Sequence, residues 1–132
     1  MALPITALYA GLMILWQVYL TACVIRQRRA HGVSLGDGGV TILTRAVRAH
    51  GNAAETVPIA LIGLALAEGM GTPAWLLHLL GLGLLAGRVM HGGNFLRERG
   101  DPRLRVGGMG LTLTVLALLG VGLLAHGLAD IG

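Results

Sequence analysis

The chain has 132 residues, of which 55% are apolar and only 12% charged, with a formal net charge of +4. Its mean hydropathy is +0.75, so a water-soluble domain of this size would lack the polar surface it needs, and an integral membrane protein is the natural class. The basic balance does not indicate a nucleic-acid surface: all ten basic residues are arginines, confined to residues 26–48 and 88–105, as the positive-inside rule predicts for loops between membrane spans.

In chain order, residues 4–25 carry no charge and are long enough to cross a bilayer. Leu20-Thr-Ala-Cys23 has the form of a lipoprotein cleavage box, but no basic segment precedes it and arginines follow at once. We read a retained helix with Cys23 as a small membrane-inserted side chain. Arg26-Gln-Arg-Arg29 should end this span, and Gly36-Asp-Gly-Gly39 marks a turn or flexible loop. The second helix should start near Thr41–Arg45 and span the membrane over residues 45–67. Its uncharged part, residues 56–67, is too short to cross alone, so it spans only if the polar face of the preceding turns is turned into protein. Pro58 should kink it. The third helix should cover residues 73–96, with Trp75 as an interfacial anchor. Gly83 and Gly87, four apart, would admit a neighbouring helix. A second basic loop, Arg97-Glu-Arg-Gly-Asp-Pro-Arg103, leads to a fourth span at residues 106–129. The expected architecture is thus an all-α membrane four-helix bundle forming one domain over residues 1–132. Both arginine loops would be cytoplasmic and both termini periplasmic.

Four polar residues stand where the second helix begins: Arg45, Arg48, Asn52 and Glu55, spaced 3, 4 and 3 apart. At 100° per residue they share an arc of about 80°. Polar groups at the edge of an apolar layer are costly unless paired, which makes the stripe a candidate site. Two uses fit it. Arg48, Asn52 and Glu55 can lock helices together. Alternatively they form a pocket for an amino acid or small peptide: arginine for carboxylate, amide as donor and acceptor, glutamate for an ammonium group. The third helix adds Arg88 and His91, about 60° apart, with Phe95 between them in angle. His50 lies roughly opposite the stripe and argues for an oligomer. No His, Cys or carboxylate set has metal-ligand spacing, so no metal is expected.

The run Arg48-Ala-His-Gly-Asn-Ala-Ala-Glu55, followed by Thr-Val-Pro58, resembles the second-helix signature of the MAPEG family, membrane-associated proteins in eicosanoid and glutathione metabolism. Gly87-Arg-Val-Met-His91 and the basic first loop agree with it, and the small bacterial inner-membrane branch is the most similar. The resemblance implies a homotrimer of four-helix bundles with glutathione bound at each subunit interface. It implies that Arg48, Asn52, Glu55, Arg88 and His91 bind glutathione, joined by Arg26 and His50 of the adjacent subunit. It further implies that an arginine ahead of the fourth helix stabilises the thiolate: Arg105, with Arg103 as competitor. The activity implied is that of a glutathione-dependent transferase or peroxidase acting on apolar electrophiles dissolved in the bilayer. Phe95 stands where several active members carry tyrosine, and Val106 where some carry serine. Both favour the alternative, a non-catalytic lipid-binding or scaffold protein of the same fold.

Overall fold

The computed structural model describes residues 2–97 and 99–131; Glu98, within the expected second basic loop, lies outside the described residues, as do Met1 and Gly132. Four α-helices follow in order: α1 (Pro4–His31), α2 (Thr41–Gly69), α3 (Ala74–Phe95) and α4 (Pro102–Ile131), and no strand occurs among the described residues. Short connections make successive helices antiparallel. Residues 32–40 and 96–101 therefore lie at one end of the bundle, the basic end, and residues 70–73 at the other. The helices α2 and α3 each touch all the others, whereas α1 and α4 do not meet. The cross-section is a rhombus with α2 and α3 on its short diagonal.

Three helices, α1, α3 and α4, are long and apolar enough to cross a membrane. Their outward faces carry Leu8, Ile14, Leu15, Val18, Leu79, Leu118, Val121 and Leu124, all exposed. Water would penalise that surface, while hydrocarbon solvates it. The protein is an all-α membrane bundle. Within α2 a stripe of small residues faces inward: Ala46, Ala49, Ala53, Ala60, Gly63 and Ala67 are buried. Small side chains let neighbouring backbones approach, which suits packing in lipid, where dispersion contacts replace the hydrophobic drive.

The helices run past the apolar stretches that mark the spans. α1 does not stop at Arg26 but continues to His31, with Arg28, Arg29 and His31 in its last turn, where cations complement the helix dipole. It ends at Gly32, whose φ of 64° is the left-handed cap conformation and whose N–H bonds Arg28 O. α4 begins at Pro102 rather than Val106. Proline suits a first helical turn because its missing N–H has no partner there in any case. Arg103 and Arg105 are consequently helical rather than loop residues. α2 starts at Thr41, within the expected range, and continues through Pro58 as one helix.

The apolar core fills the half of the bundle away from the basic end. Tyr9, Met13, Leu64, Leu77, Leu80, Leu84, Val115 and Leu119 pack there. At its far edge the Glu68 carboxylate, from the last turn of α2, accepts the backbone N–H groups of Ile5 and Thr6 at 2.9 and 2.7 Å. These are orphan donors of the first turn of α1, so Glu68 caps one helix from another. A smaller cluster of Leu20, Ala49 and Ala53, with Trp16 and Phe95 against it, lies toward the basic end. Gly87 and Gly108 hold α3 against α4: a Cβ on Gly108 would stand 2.7 Å from both Gly87 O and His91 N. Gly83 also faces α4, toward Val115.

Candidate functional site at the basic end of the bundle

The α2 stripe straddles the edge of that helix's buried face, and this divides it in two. Arg45 and Asn52 are turned inward and half-buried; Arg48 and Glu55 are exposed on the outer surface. Arg48 and Glu55 make no ion pair or hydrogen bond with the described residues. Seven residues separate them, about 10 Å along the axis and nearly the same direction. Gly51 and Ala54 between them project little, so the outer face of α2 is a shallow strip with a cation at one end and an anion at the other.

Asn52 is engaged from within. Arg88 of α3 is only 2% exposed and donates to Asn52 Oδ1 at 2.6 Å and Thr56 Oγ1 at 3.1 Å on α2. On α4 it donates to Thr112 Oγ1 at 2.9 Å and reaches Met109 Sδ at 3.7 Å. Each threonine spends its own proton on the carbonyl one turn back, Thr56 on Asn52 O at 2.8 Å and Thr112 on Gly108 O at 2.9 Å. Only their lone pairs remain, so both face Arg88 as acceptors. The buried guanidinium is thus met by neutral acceptors from two helices.

One turn further along α3, His91 is buried and its Nδ1 lies 2.9 Å from Arg105 O on α4; the carbonyl can only accept, so Nδ1 carries the proton. Its ring meets Phe95 edge-on at 5.2 Å between centroids. The Arg105 guanidinium lies over the same Phe95 ring, 5.5 Å from its centre, a cation–π contact. The exposed Arg105 side chain stands at one end of a groove of about 380 Å³ on the α3–α4 surface. Val106, Met109, Gly110 and Leu113 line it, with His91 at its side. Arg103 does not line this groove; its backbone N–H donates to Asp101 Oδ1 at 2.8 Å in the exposed first turn of α4.

The residues singled out from the sequence therefore separate into three groups. Asn52 and Arg88 are bonded to each other, and His91, Phe95 and Arg105 form a second cluster beside them. Arg48 and Glu55 point away from the bundle. Arg26 is exposed five residues before the end of α1, and His50 is half-buried on α2. Within one chain neither joins the Arg88 or Arg105 clusters. Thr56, Thr112 and Met109 escaped the sequence reading. An isolated threonine in an apolar helix ordinarily bonds its own backbone, and nothing local marks the one that also accepts from a neighbouring helix. No group of three or more His, Cys, Asp or Glu able to hold a metal occurs among the described residues.

The match to a model of the MAPEG family covers residues 6–125. Inner membrane protein YecN of Escherichia coli strain K12 is 42% identical over 87 residues, which is 66% of this chain and 66% of the relative. The protein of the same name from Escherichia coli O6:H1 aligns over 87 residues at 42% identity as well. The aligned stretch is just under two thirds of these relatives' length.

Proposed function

The chain belongs to the MAPEG family, and on that premise we propose that it is a glutathione-dependent transferase or peroxidase of the bacterial inner membrane, active on apolar electrophiles or peroxides. The observation that carries this reading is the exposed Arg48–Glu55 strip, without a partner among the described residues, together with an Arg105 guanidinium at the mouth of an apolar groove at the same end of the bundle. Such a strip fits a zwitterionic peptide, and such a groove an apolar co-substrate. In this reading three copies assemble so that the outer face of α2 is covered by a neighbour, with Arg26 and His50 of that neighbour completing the glutathione site. Both basic loops lie in the cytoplasm and both termini in the periplasm.

The chemistry follows from electrostatics. A thiol is a weak nucleophile until ionised, and a cation within about 4–6 Å lowers such a pKa by roughly 1–3 units. Arg105 supplies that cation, and the thiol proton leaves to water. With an electrophilic carbon, sulfur forms the new C–S bond and the leaving group departs with the electron pair. With a hydroperoxide, sulfur takes the terminal oxygen, the alcohol leaves, and a second glutathione displaces water to form the disulfide. Arg105 suits this role better than Arg103, because its guanidinium stands beside the groove.

Calorimetric titration of glutathione into detergent-purified protein tests the pocket, with Arg48→Ala and Glu55→Ala beside it. Saturable binding lost in both variants supports the reading. Thiolate absorbance and conjugation that vanish in Arg105→Ala support the chemistry. A second reading, a non-catalytic lipid-binding or scaffold protein, is favoured by Phe95: the Arg105 guanidinium already lies over its ring, and the ring offers no hydroxyl to a ligand. A folded oligomer that binds no glutathione but retains lipid would establish that reading instead.

A further inference from the structure

Arg88 is the only buried arginine or carboxylate residue among the described residues, and no carboxylate meets it. Its partners are Asn52 Oδ1, Thr56 Oγ1, Thr112 Oγ1 and Met109 Sδ, all neutral. A buried guanidinium with dipoles but no counter-ion is solvated incompletely, and an anion brought near it is favoured. The same arrangement fixes the Asn52 amide. A guanidinium only donates, so the carboxamide must turn Oδ1 toward Arg88. The Nδ2 edge then points the other way, where it has no acceptor among the described residues and is not enclosed by protein.

We propose that Arg88 is a positioning residue, braced by Thr56 and Thr112, which locks the Asn52 carboxamide with its donor edge outward and makes that edge a seat for a ligand carboxylate. Arg88 itself touches no ligand, since it is enclosed by α2, α3 and α4. Its charge acts through Asn52 in two ways: it polarises the amide so that Nδ2 donates more strongly, and it supplies the net positive field that a carboxylate, but not a carboxamide, exploits. Thr112 reaches Arg88 only because Gly87 and Gly108 bring α3 and α4 into contact, so the selectivity of an α2 residue depends on an α3–α4 crossing. The proposal rests on the glutathione reading for its ligand and on the chain's own geometry for the device.

The test uses the full chain in detergent, with glutathione and its two mono-amides, one at each carboxylate, as calorimetric probes. Wild type should bind one mono-amide about tenfold or more weakly than glutathione, as expected for loss of a charged hydrogen bond. Thr112→Val keeps the side-chain shape but removes an Arg88 acceptor, and should shrink that preference; Thr112→Ser should restore it. A packing role alone would leave the preference unchanged. Asn52→Asp provides a second, independent arm: it gives Arg88 a counter-ion and removes the outward donor, so the thermal midpoint should rise while glutathione affinity falls about tenfold. Equal affinity for glutathione and both mono-amides, or an unchanged preference in folded Thr112→Val, overturns the proposal. So does Asn52→Asp that binds as wild type does. If wild type binds none of the three probes, the glutathione reading fails, and the midpoint decides the device alone. A rise in Asn52→Asp then supports the uncompensated Arg88 charge, and a midpoint at or below wild type refutes it.

Discussion

Replacing Gly87 by alanine tests whether the α3–α4 crossing sets the site. A Cβ there would stand 2.7 Å from Thr112 Oγ1, 2.9 Å from Gly108 O and 3.2 Å from Thr112 N, where ordinary contact begins at 3.4 Å. Two of those atoms are backbone, so the helices must separate rather than a side chain swing aside. Overpacking of this kind costs about 1–3 kcal/mol. The separation also draws Thr112 Oγ1 away from Arg88 Nε, now at 2.9 Å. Loss of a hydrogen bond to a charged group adds about 1.5–3 kcal/mol. The better helix propensity of alanine offsets about 1 kcal/mol. The expected net loss is therefore about 2–5 kcal/mol. Unfolding in mixed micelles with increasing dodecyl sulfate, followed by circular dichroism, would measure it. Gly120→Ala on α4 is the control: a Cβ there meets nothing within 4 Å, so stability should hold or rise slightly. A Gly87→Ala variant within about 0.5 kcal/mol of wild type, the range of an ordinary surface change, would refute the close-approach argument.

Two further outcomes follow from the ends of the bundle. Glu68→Ala removes the acceptor of the Ile5 and Thr6 N–H groups and should cost about 1–2 kcal/mol, with faster amide exchange confined to the first turn of α1; unchanged exchange there would remove Glu68 as a cap. In the loop before α2, the Gly39 N–H and then the Thr44 hydroxyl hold the Asp37 carboxyl below the usual carboxylate range. Its folded pKa is thus lower than its unfolded one. The contribution is fully present above the unfolded value, about 3.9, and is lost as pH falls through the folded value. Gly39 amide exchange, corrected for intrinsic pH dependence, should therefore rise at acid pH in wild type and be flat in Asp37→Asn.

Much of the fold was legible because bilayers impose simple rules. Uncharged runs of span length and arginine restricted to two stretches imply four helices and their connections without reference to packing. The Arg45–Glu55 stripe was legible too, since helical periodicity alone aligns residues 3 and 4 apart. The helix ends were less so: Arg26 and Arg105 end an apolar run, yet nothing about arginine stops a helix, and Gly32 and Pro102 are the residues whose backbones mark the actual limits. Periodicity also could not say that the stripe would be split, with Asn52 facing Arg88 while Arg48 and Glu55 face outward. That depends on where α3 lies against α2, to within about one residue's rotation.

By itself the sequence determined the membrane class, the number of helices, the basic end and the family, because hydropathy, charge placement and the Arg48-to-Glu55 motif are properties of the chain in one dimension. Only the tertiary structure decided that Arg88 is enclosed and neutral-partnered, that Thr56 and Thr112 have only lone pairs left to offer it, and that Arg105 lies over Phe95 at the edge of a groove. Those are contacts between different helices, 10 to 36 residues apart in the chain. Their partners are chosen by which small residues, here Gly87 and Gly108, allow two backbones to meet.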